Sequence, residues 1–283
     1  MTTRHTPPRI VPLPDTLDAE LEPLLSEPFA SAWEAGAGLA PAAALGARSR
    51  LIGRVAASRA AAAGMVTTRT RRKPAQALAP GATRRLLYTA ETGRALRPGE
   101  PLQAWLIDLQ PGAAWIAPPG AQHREWLVLR GRVRLGGEWL ASRDYHVGPA
   151  AAAAELRSGD EAARVFLRES MPLAGAGAGA VTVRDAEAGW PAYAPGIRRR
   201  VLWQHGGQAA LLYSAEPGAT VPMHAHGHDE ECLMVQGDLF LDDVLLQEGD
   251  YQLAPAGSGH RITETDTGAV IYAHGDLDLA FVT

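Results

Sequence analysis

The sequence predicts an all-β protein made of two tandem copies of one sandwich or barrel domain, behind a helical N-terminal extension. Three observations lead to this prediction. An internal repeat begins at residue 66, and each copy consists of short apolar runs separated by Gly, Pro and Asp. The segment 1–64 lies outside the repeat and is rich in Ala and Leu, which favours helices.

The repeat keeps a constant register over long stretches. Residues 66–88 match residues 181–203 at an offset of 115, so that Ala79-Pro80-Gly81 returns as Ala194-Pro195-Gly196. From residue 111 onwards the offset is 106, and Asp144-Tyr145 returns as Asp250-Tyr251. A nine-residue insertion between Tyr88 and Trp105 explains the change of offset. We interpret the repeat as a duplication of one domain.

Each copy is expected to contain seven or more short strands, which indicates a sandwich or closed barrel. In the second copy, Gly237-Asp238 is interpreted as a turn between two strands. The predicted strands of that copy include residues 201–203, 210–215, 232–236, 239–241 and 270–273, and another strand is predicted to begin at Gly249-Asp250.

These patterns divide the chain into four segments: a helical extension at 1–64, a first barrel at 65–170, a Gly/Ala linker at 171–180 and a second barrel at 181–283. In the extension, helices are predicted at 17–25 and 41–63. Residues 10–34 hold six acids and no Lys or Arg, whereas residues 35–90 hold ten basic residues and no acid. Either the two regions pair with each other, or one of them meets a charged partner.

Composition limits the classes of function. With 46% hydrophobic residues and a net charge of −4 over 283 residues, the chain is predicted to be folded and not to bind nucleic acid directly. The single cysteine, Cys232, excludes an internal disulfide and favours a reducing compartment. No membrane span and no signal peptide are expected, so the predicted location is the cytoplasm.

Four residues of the second copy are predicted to bind one divalent transition metal. Alternate residues of a strand face the same way, so His224 and His226 share a face. A Gly-containing bend can return Glu230 to that face, and His260 follows a turn at 255–259 that could bring it there. Three imidazoles and a carboxylate suit zinc, iron, manganese, nickel and cobalt alike.

Neighbouring residues receive weaker predictions. His228 is a substitute ligand, a pocket base, or a residue of the bend near solvent. Glu231 should face away from the metal, and Cys232 should line the barrel wall. Three other histidines, His5, His123 and His205, are expected on the surface, and His274 is assigned no role.

The first copy has lost the metal ligands. We expect a metal-free barrel that acts as a packing partner or binds an organic ligand. The equivalent positions, in ligand order, are occupied by Pro118, Gly120, Arg124 and Ala154.

The metal constellation and its spacing resemble the cupin superfamily. The first cupin motif fits His224, His226 and Glu230, and the second fits His260, with no change in spacing. The resemblance covers residues 66–283 and implies two jelly-roll barrels with the metal inside the mouth of the second. The other motif positions are Gly218, Gly237, Gly249, Pro255 and Gly257.

Within the cupins, residues 224–237, the lead-in from Trp190 to Trp203 and the helix at 41–55 resemble the ChrR-like group of anti-sigma factors. The Cys-based zinc finger of that group is absent, because no cysteine precedes Cys232. The resemblance implies a regulatory protein that senses a small molecule or an oxidant at its metal, with zinc as the first choice and iron, manganese or nickel as alternatives.

The expected partners are a small-molecule ligand, a protein bound by the N-terminal helices (a sigma factor is one candidate) and a second copy in a homodimer. The alternative function is a metal-dependent, dioxygenase-type enzyme that acts on a small aromatic or ketone substrate.

Overall fold

A computed structural model describes residues 64–172 and 180–281, which fall within one compact unit, Ser58–Thr283. These residues form β-strands with one 3-10 turn and one short helix. The predicted helices at 17–25 and 41–63 and most of the linker lie outside the described residues. In the described part of the chain, no helix is long and apolar enough to cross a membrane.

The first copy forms the strands that alternating and buried apolar runs predict. Its elements are β1 (Val66–Thr68), a 3-10 turn (Thr70–Arg72), β2 (Gln76–Ala79), β3 (Ala82–Thr89), β4 (Pro101–Leu109), β5 (Ala114–Ala117), β6 (His123–Arg130), β7 (Arg132–Leu135), β8 (Glu138–Ala141), β9 (Tyr145–Pro149), β10 (Ala154–Ser158) and β11 (Ala163–Ser170).

The second copy repeats this order, and its additional short strands surround the predicted metal ligands. Its elements are β12 (Val181–Val183), α1 (Asp185–Ala188), β13 (Ala192–Ala194), β14 (Ile197–His205), β15 (Gln208–Ala215), β16 (Thr220–Val221), β17 (His224–Ala225), β18 (Glu230–Leu241), β19 (Val244–Gln247), β20 (Tyr251–Ala254), β21 (Gly259–His260), β22 (Thr263–Glu264), β23 (Ala269–Asp276) and β24 (Ala280–Phe281).

The strands form two antiparallel barrels. In the first, a seven-stranded sheet has the order β12-β9-β6-β11-β4-β3-β2, and a four-stranded sheet has the order β5-β10-β7-β8. In the second, the main sheet contains the path β1-β20-β18-β23-β15-β14-β13, and a small sheet has the order β21-β17-β24. The equivalent order of the two main sheets agrees with the duplication.

The two copies exchange their first strands. Strand β1, from the start of the first copy, pairs with β20 of the second, with Val66 opposite Leu253. Strand β12, from the start of the second copy, pairs with β9 of the first, with Val181 opposite Val147. Each main sheet is therefore completed by residues that belong to the other copy.

One apolar cluster is shared by both copies, which agrees with the expectation that the first barrel acts as a packing partner. It includes Leu127 and Phe166 of the first copy and Leu233 and Tyr272 of the second. The rings of Phe166 and Tyr272 lie 5.1 Å apart, a distance typical of favourable aromatic packing. The barrels are joined by packed side chains in addition to the covalent connection.

The interior of the first barrel is filled. Trp126 and Leu167 belong to its apolar core, where the second copy has the smaller residues Cys232 and Ala273 at the equivalent positions. Larger side chains therefore occupy these core positions of the first barrel, whereas in the second barrel Cys232 and Ala273 line a cavity.

The turn predicted at Gly237-Asp238 is wrong. Strand β18 runs through both residues, and its pairing with β23 shifts register between Met234 and Gln236. Gly237 has φ +77°, and a Cβ there would lie 2.1 Å from the carbonyl oxygen of Gly268. A glycine with this conformation is typical of a β-bulge, which bends the strand without ending it.

Candidate metal centre

Three of the four predicted ligands come together at one end of the second barrel. Strand β17 carries His224, and β18 begins at Glu230. The ligand atoms of His224, His226 and Glu230 all lie within 4.8 Å of one another. Both histidines are buried, each with 3% of its surface exposed.

The fourth predicted ligand, His260, lies beside them. Its strand β21 pairs with β17 so that His260 stands opposite His224. Gly259 permits this pairing, because a Cβ there would lie 2.3 Å from the carbonyl oxygen of His224. His260 Nε2 is 3.9 Å from Glu230 Oε2, and the ring centroids of His260 and His226 are 5.0 Å apart. The structure therefore places His260 beside the group formed by the other three residues.

The Nδ1 atoms of the three histidines have protein neighbours. His224 Nδ1 donates to the carbonyl oxygen of Pro222 at 3.0 Å. His226 Nδ1 lies 3.5 Å from Ser258 Oγ, and His260 Nδ1 lies 3.4 Å from Asp242 Oδ2. In histidines that bind metals, one ring nitrogen commonly binds the ion and the other is hydrogen-bonded to a protein group. The pattern leaves Nε2 of each ring as the ligand atom.

The donor set fits a divalent metal ion. His226 Nε2 is buried and makes no hydrogen bond, although it lies 2.8 Å from Glu230 Oε2. Two ligand atoms bound to one ion at about 2.0–2.2 Å lie roughly 3 Å apart. The close approach of these two atoms is therefore the spacing that a shared ion requires.

The pKa values of the ligands show how strongly the groups interact. Burial alone would raise the pKa of Glu230, but the neighbouring His226, His260 and His224 hold it below its usual value. Burial lowers the pKa of His260, and Glu230 only partly offsets this. The Glu230 carboxylate and the neutral His260 imidazole are in the protonation state that metal binding needs, whereas Glu230 raises the pKa of His226 despite its burial, so that an ion would have to displace the His226 proton.

A cavity of about 70 Å³ opens at the metal ligands and extends into the barrel. Cys232 lines it, as predicted, and burial raises the pKa of its thiol well above the usual value. Thr263 also lines the cavity, and its buried hydroxyl has no hydrogen-bond partner. The other lining residues are mostly apolar: Tyr193, Ile197, Tyr213, Ala215, Ala219, Val221, Leu239, Leu241, Ile271, Ala273 and Leu279.

The other residues discussed in the sequence analysis lie where their positions predicted, with one exception. The side chain of His228 is 36% exposed, and its Nδ1 lies 2.5 Å from Asp276 Oδ1. Glu231 turns away from the site and is fully buried. The surface position predicted for His123 is wrong: it is 6% exposed and stacks beside Trp203, because strand β6 lies against the second copy.

Asp242 is the functional residue that the sequence did not reveal. It lies at the turn between β18 and β19, and Asp in a turn is ordinary. Its Oδ1 accepts hydrogen bonds from the backbone N–H of Arg261 at 2.9 Å and of Ile262 at 3.3 Å, while its Oδ2 faces His260. One carboxylate thus holds both the His260 ring and the backbone that carries it.

We expect Asp242→Asn to weaken metal affinity by roughly 10–100-fold, the usual range for residues that orient a ligand. The amide loses the negative charge that faces His260 Nδ1. The measurement is competition for zinc with a chelator of known affinity. Asp243→Asn is the matched control, because Asp243 is the next residue and its side chain is 61% exposed. Equal affinities of the two variants would contradict the orienting role of Asp242.

In the first copy, a salt bridge occupies the position equivalent to the ligand carboxylate. Arg124 replaces Glu230 there, and its Nε donates to Glu169 Oε1 at 2.8 Å. The Arg124 side chain is only 5% exposed. The negative charge of Glu230 is therefore replaced at this position by a buried positive charge, which Glu169 balances.

Comparison with known proteins supports the cupin fold. Residues 178–278 match the family described as the ChrR cupin-like domain, and this range contains all four ligands. A search of curated proteins gave no match.

Three solved structures share the fold. A putative dioxygenase from Nostoc punctiforme is 18% identical with a TM-score of 0.59, over 77% of this chain and 85% of that chain. A mutant of the Bacillus subtilis oxalate decarboxylase, an enzyme with Mn(II) centres, is 17% identical with a TM-score of 0.57, over 77% and 79%. Protein YlbA from E. coli is 15% identical with a TM-score of 0.61, over 75% and 90%. The chain therefore shares the two-barrel fold of these proteins.

Proposed function

We propose that the second barrel binds one divalent first-row metal ion at His224, His226, Glu230 and His260, and that a small ligand reaches this ion through the cavity. The observation that supports the proposal is the group formed by His224, His226 and Glu230, with His260 beside it, at an apolar cavity. When bound, such an ion would supply a Lewis-acidic centre with coordination positions left for a ligand.

The donor set suits zinc, iron, manganese and nickel alike. Zinc is our first choice of metal, and the other three are the alternatives. Elemental analysis of the full-length protein, purified without added metal, tests the site. The expected result is about one ion per chain. A content near two would contradict a metal-free first barrel, and a content near zero after reconstitution would contradict the site itself.

A sensing role is the function that we favour. Apart from the ligands, the described residues that line the cavity include few groups able to transfer protons. Burial raises the pKa of Tyr213 and of Cys232 far above neutrality, so neither exchanges a proton readily at pH 7. Binding of a small molecule or an oxidant at the metal requires no such group. We propose that residues 1–64 report this binding to a protein partner, with a sigma factor as the first candidate.

A dioxygenase-type enzyme is the second candidate. The coordination positions that a bound ion would leave for a ligand favour it. The fold is also shared with proteins named as a dioxygenase and an oxalate decarboxylase. The cavity of about 70 Å³ is smaller than the cavity of about 150 Å³ that holds benzene. A small ketone therefore fits the cavity better than an aromatic ring does.

Deletion of residues 1–64 separates the two candidates. If the protein is a sensor, the truncated chain should keep its metal and its thermal stability and lose binding to a purified sigma factor. The reason is that the four ligands and both barrels lie outside the deleted segment. The measurements are metal content, melting temperature and a binding assay with both proteins purified.

The same truncated protein tests catalysis. Turnover of a ketone or aromatic substrate under air, with iron or manganese loaded, would contradict a purely regulatory role if it disappears in His226→Ala. A large loss of stability on truncation, with no sigma-factor binding by the full-length chain, would indicate instead that the extension braces the barrels.

A further inference from the structure

The charge around the cavity is nearly all supplied by the metal centre. Among the described residues that line it, Glu230 is the carboxylate, and none is Arg or Lys. A divalent ion, three neutral imidazoles and one carboxylate carry a net charge of +1, and the Asp242 carboxylate behind His260 is itself paired with Arg261 at 3.4 Å. An unbalanced positive charge beside apolar walls is costly, so the site favours a ligand with one negative charge. A second negative charge on the ligand would be buried without a partner.

The walls select an apolar body of small size. Beyond the metal ligands, the lining is formed mainly by aliphatic side chains such as Leu239, Leu241 and Ile271. The cavity has a volume of about 70 Å³, which accommodates a short aliphatic group. A charged or strongly hydrated group would lose its water here without receiving hydrogen bonds in return.

One polar group in the wall lacks a partner. The Thr263 hydroxyl is buried at the cavity and makes no hydrogen bond. Buried polar groups are nearly always paired in the functional state, so a ligand oxygen is a suitable acceptor for this hydroxyl. Thr263 lies on β22, three residues after the ligand His260 in the sequence, and stands opposite Val221 of β16.

We infer that the ligand is a small aliphatic monoanion of the carboxylate type. Its anionic group binds the metal and accepts a hydrogen bond from Thr263, and its alkyl group fills the apolar part of the cavity. The inference rests on the proposed metal site. It excludes dicarboxylates such as oxalate or malonate, because the lining offers no cation for the second carboxylate.

The first copy supplies the variants that test this assignment. Trp126 stands in the first barrel where Cys232 lines the cavity, and Leu167 stands where Ala273 does. Cys232→Trp and Ala273→Leu therefore introduce side chains that this fold already packs at the equivalent positions. Neither residue is a metal ligand, so each variant should fill the cavity and keep the ion. Thr263→Val removes the hydroxyl at nearly constant shape.

The experiment is calorimetric titration of the zinc-loaded, full-length protein with propionate, malonate and 1-propanol at one ionic strength. Propionate should bind about tenfold or more tightly than either malonate or 1-propanol. Thr263→Val should weaken propionate binding by roughly five- to tenfold, the effect of one lost hydrogen bond. Ala273→Leu and Cys232→Trp should abolish propionate binding with metal content unchanged, and Ala273→Leu, the smaller change, suffices if Cys232→Trp does not fold.

The outcomes separate the ligand class from the metal site. Tighter binding of malonate, or no binding of propionate by protein that holds one zinc, would overturn the ligand class and leave the proposed site intact. Equal binding of propionate by metal-free His226→Ala would also overturn it, since the anion would then not be bound to the metal. Failure of the wild-type protein to hold zinc, iron, manganese or nickel would overturn the proposed function, on which this inference rests.

Discussion

Replacing Arg168 by Met is expected to lower the free energy of unfolding by about 3–5 kcal/mol, the range for removing one partner of a buried ion pair. The Arg168 side chain is 1% exposed and lies between the two copies. Its Nη1 donates to Glu125 Oε1 at 2.6 Å, its Nε donates to Glu231, and its Nη2 donates to the carbonyl oxygen of Gly99 at 2.8 Å. Without the guanidinium, two carboxylates would remain buried with no opposite charge.

The residues around Arg168 come in pairs from the two copies. Glu125 corresponds to Glu231 at the offset of 106, and the hydroxyls of Tyr145 and Tyr251 donate to them at 2.7 and 2.6 Å. The position equivalent to Arg168 is His274, and burial together with Arg168 lowers the pKa of His274 to about 3. His274 is therefore neutral at pH 7, and Arg168 is the guanidinium that serves both carboxylates.

Chemical denaturation of the full-length protein measures the effect. Arg164→Met is the matched control: Arg164 lies on the same strand, is 30% exposed and pairs with Asp108 at the surface, so a loss within about 1 kcal/mol is expected. Adding Glu125→Gln and Glu231→Gln to Arg168→Met should recover part of the stability, because the uncompensated charges disappear. A loss for Arg168→Met as small as that of Arg164→Met would contradict the role of the buried ion pairs.

Replacing His226 by Ala is expected to weaken metal binding by more than the roughly 10–100-fold range of an outer residue such as Asp242. His226 contributes the Nε2 atom that lies 2.8 Å from the Glu230 carboxylate. Its loss removes a direct ligand and leaves Glu230 buried beside fewer imidazoles. Metal content after dialysis against a weak chelator, together with the affinity for zinc, measures the effect.

His228→Ala is the matched control for His226→Ala and settles the role of His228. The two residues occupy alternate positions, and His228 contacts Asp276 at the half-exposed bend. We expect its replacement to leave metal affinity within about twofold of wild type, as for a residue that neither binds nor orients a ligand. Loss of the ion in His228→Ala, or its retention in His226→Ala, would contradict the ligand assignment.

The elements that could be predicted from the sequence depend on local spacing. Strand parity placed His224 and His226 together and turned Glu231 away from them, and turn residues separated most strands correctly. Contacts between residues that are far apart in the sequence could not be predicted from local spacing. Parity indicates that Glu231 faces away, but its partner Arg168 is 63 residues distant and belongs to the other copy.

Two further errors have the same physical origin. His123 was predicted at the surface because an isolated histidine is usually solvated, and it is buried by Trp203 of the second copy. Asp242 gave no signal because turn formation alone explains an Asp at that position. In both cases the decisive contact is between segments far apart in the chain, which periodicity and composition do not encode.

The exchange of β1 and β12 also determines the order in which the protein can mature on the ribosome. The β9 edge of the first sheet stays open until Val181–Val183 has been synthesised, and β1 has no partner until Tyr251–Ala254 follows. At translation rates of roughly 5–20 residues per second, β1 waits on the order of 10–40 s for its partner. An unpaired edge is a site for association between nascent chains, so this interval is when the chain is most prone to such association.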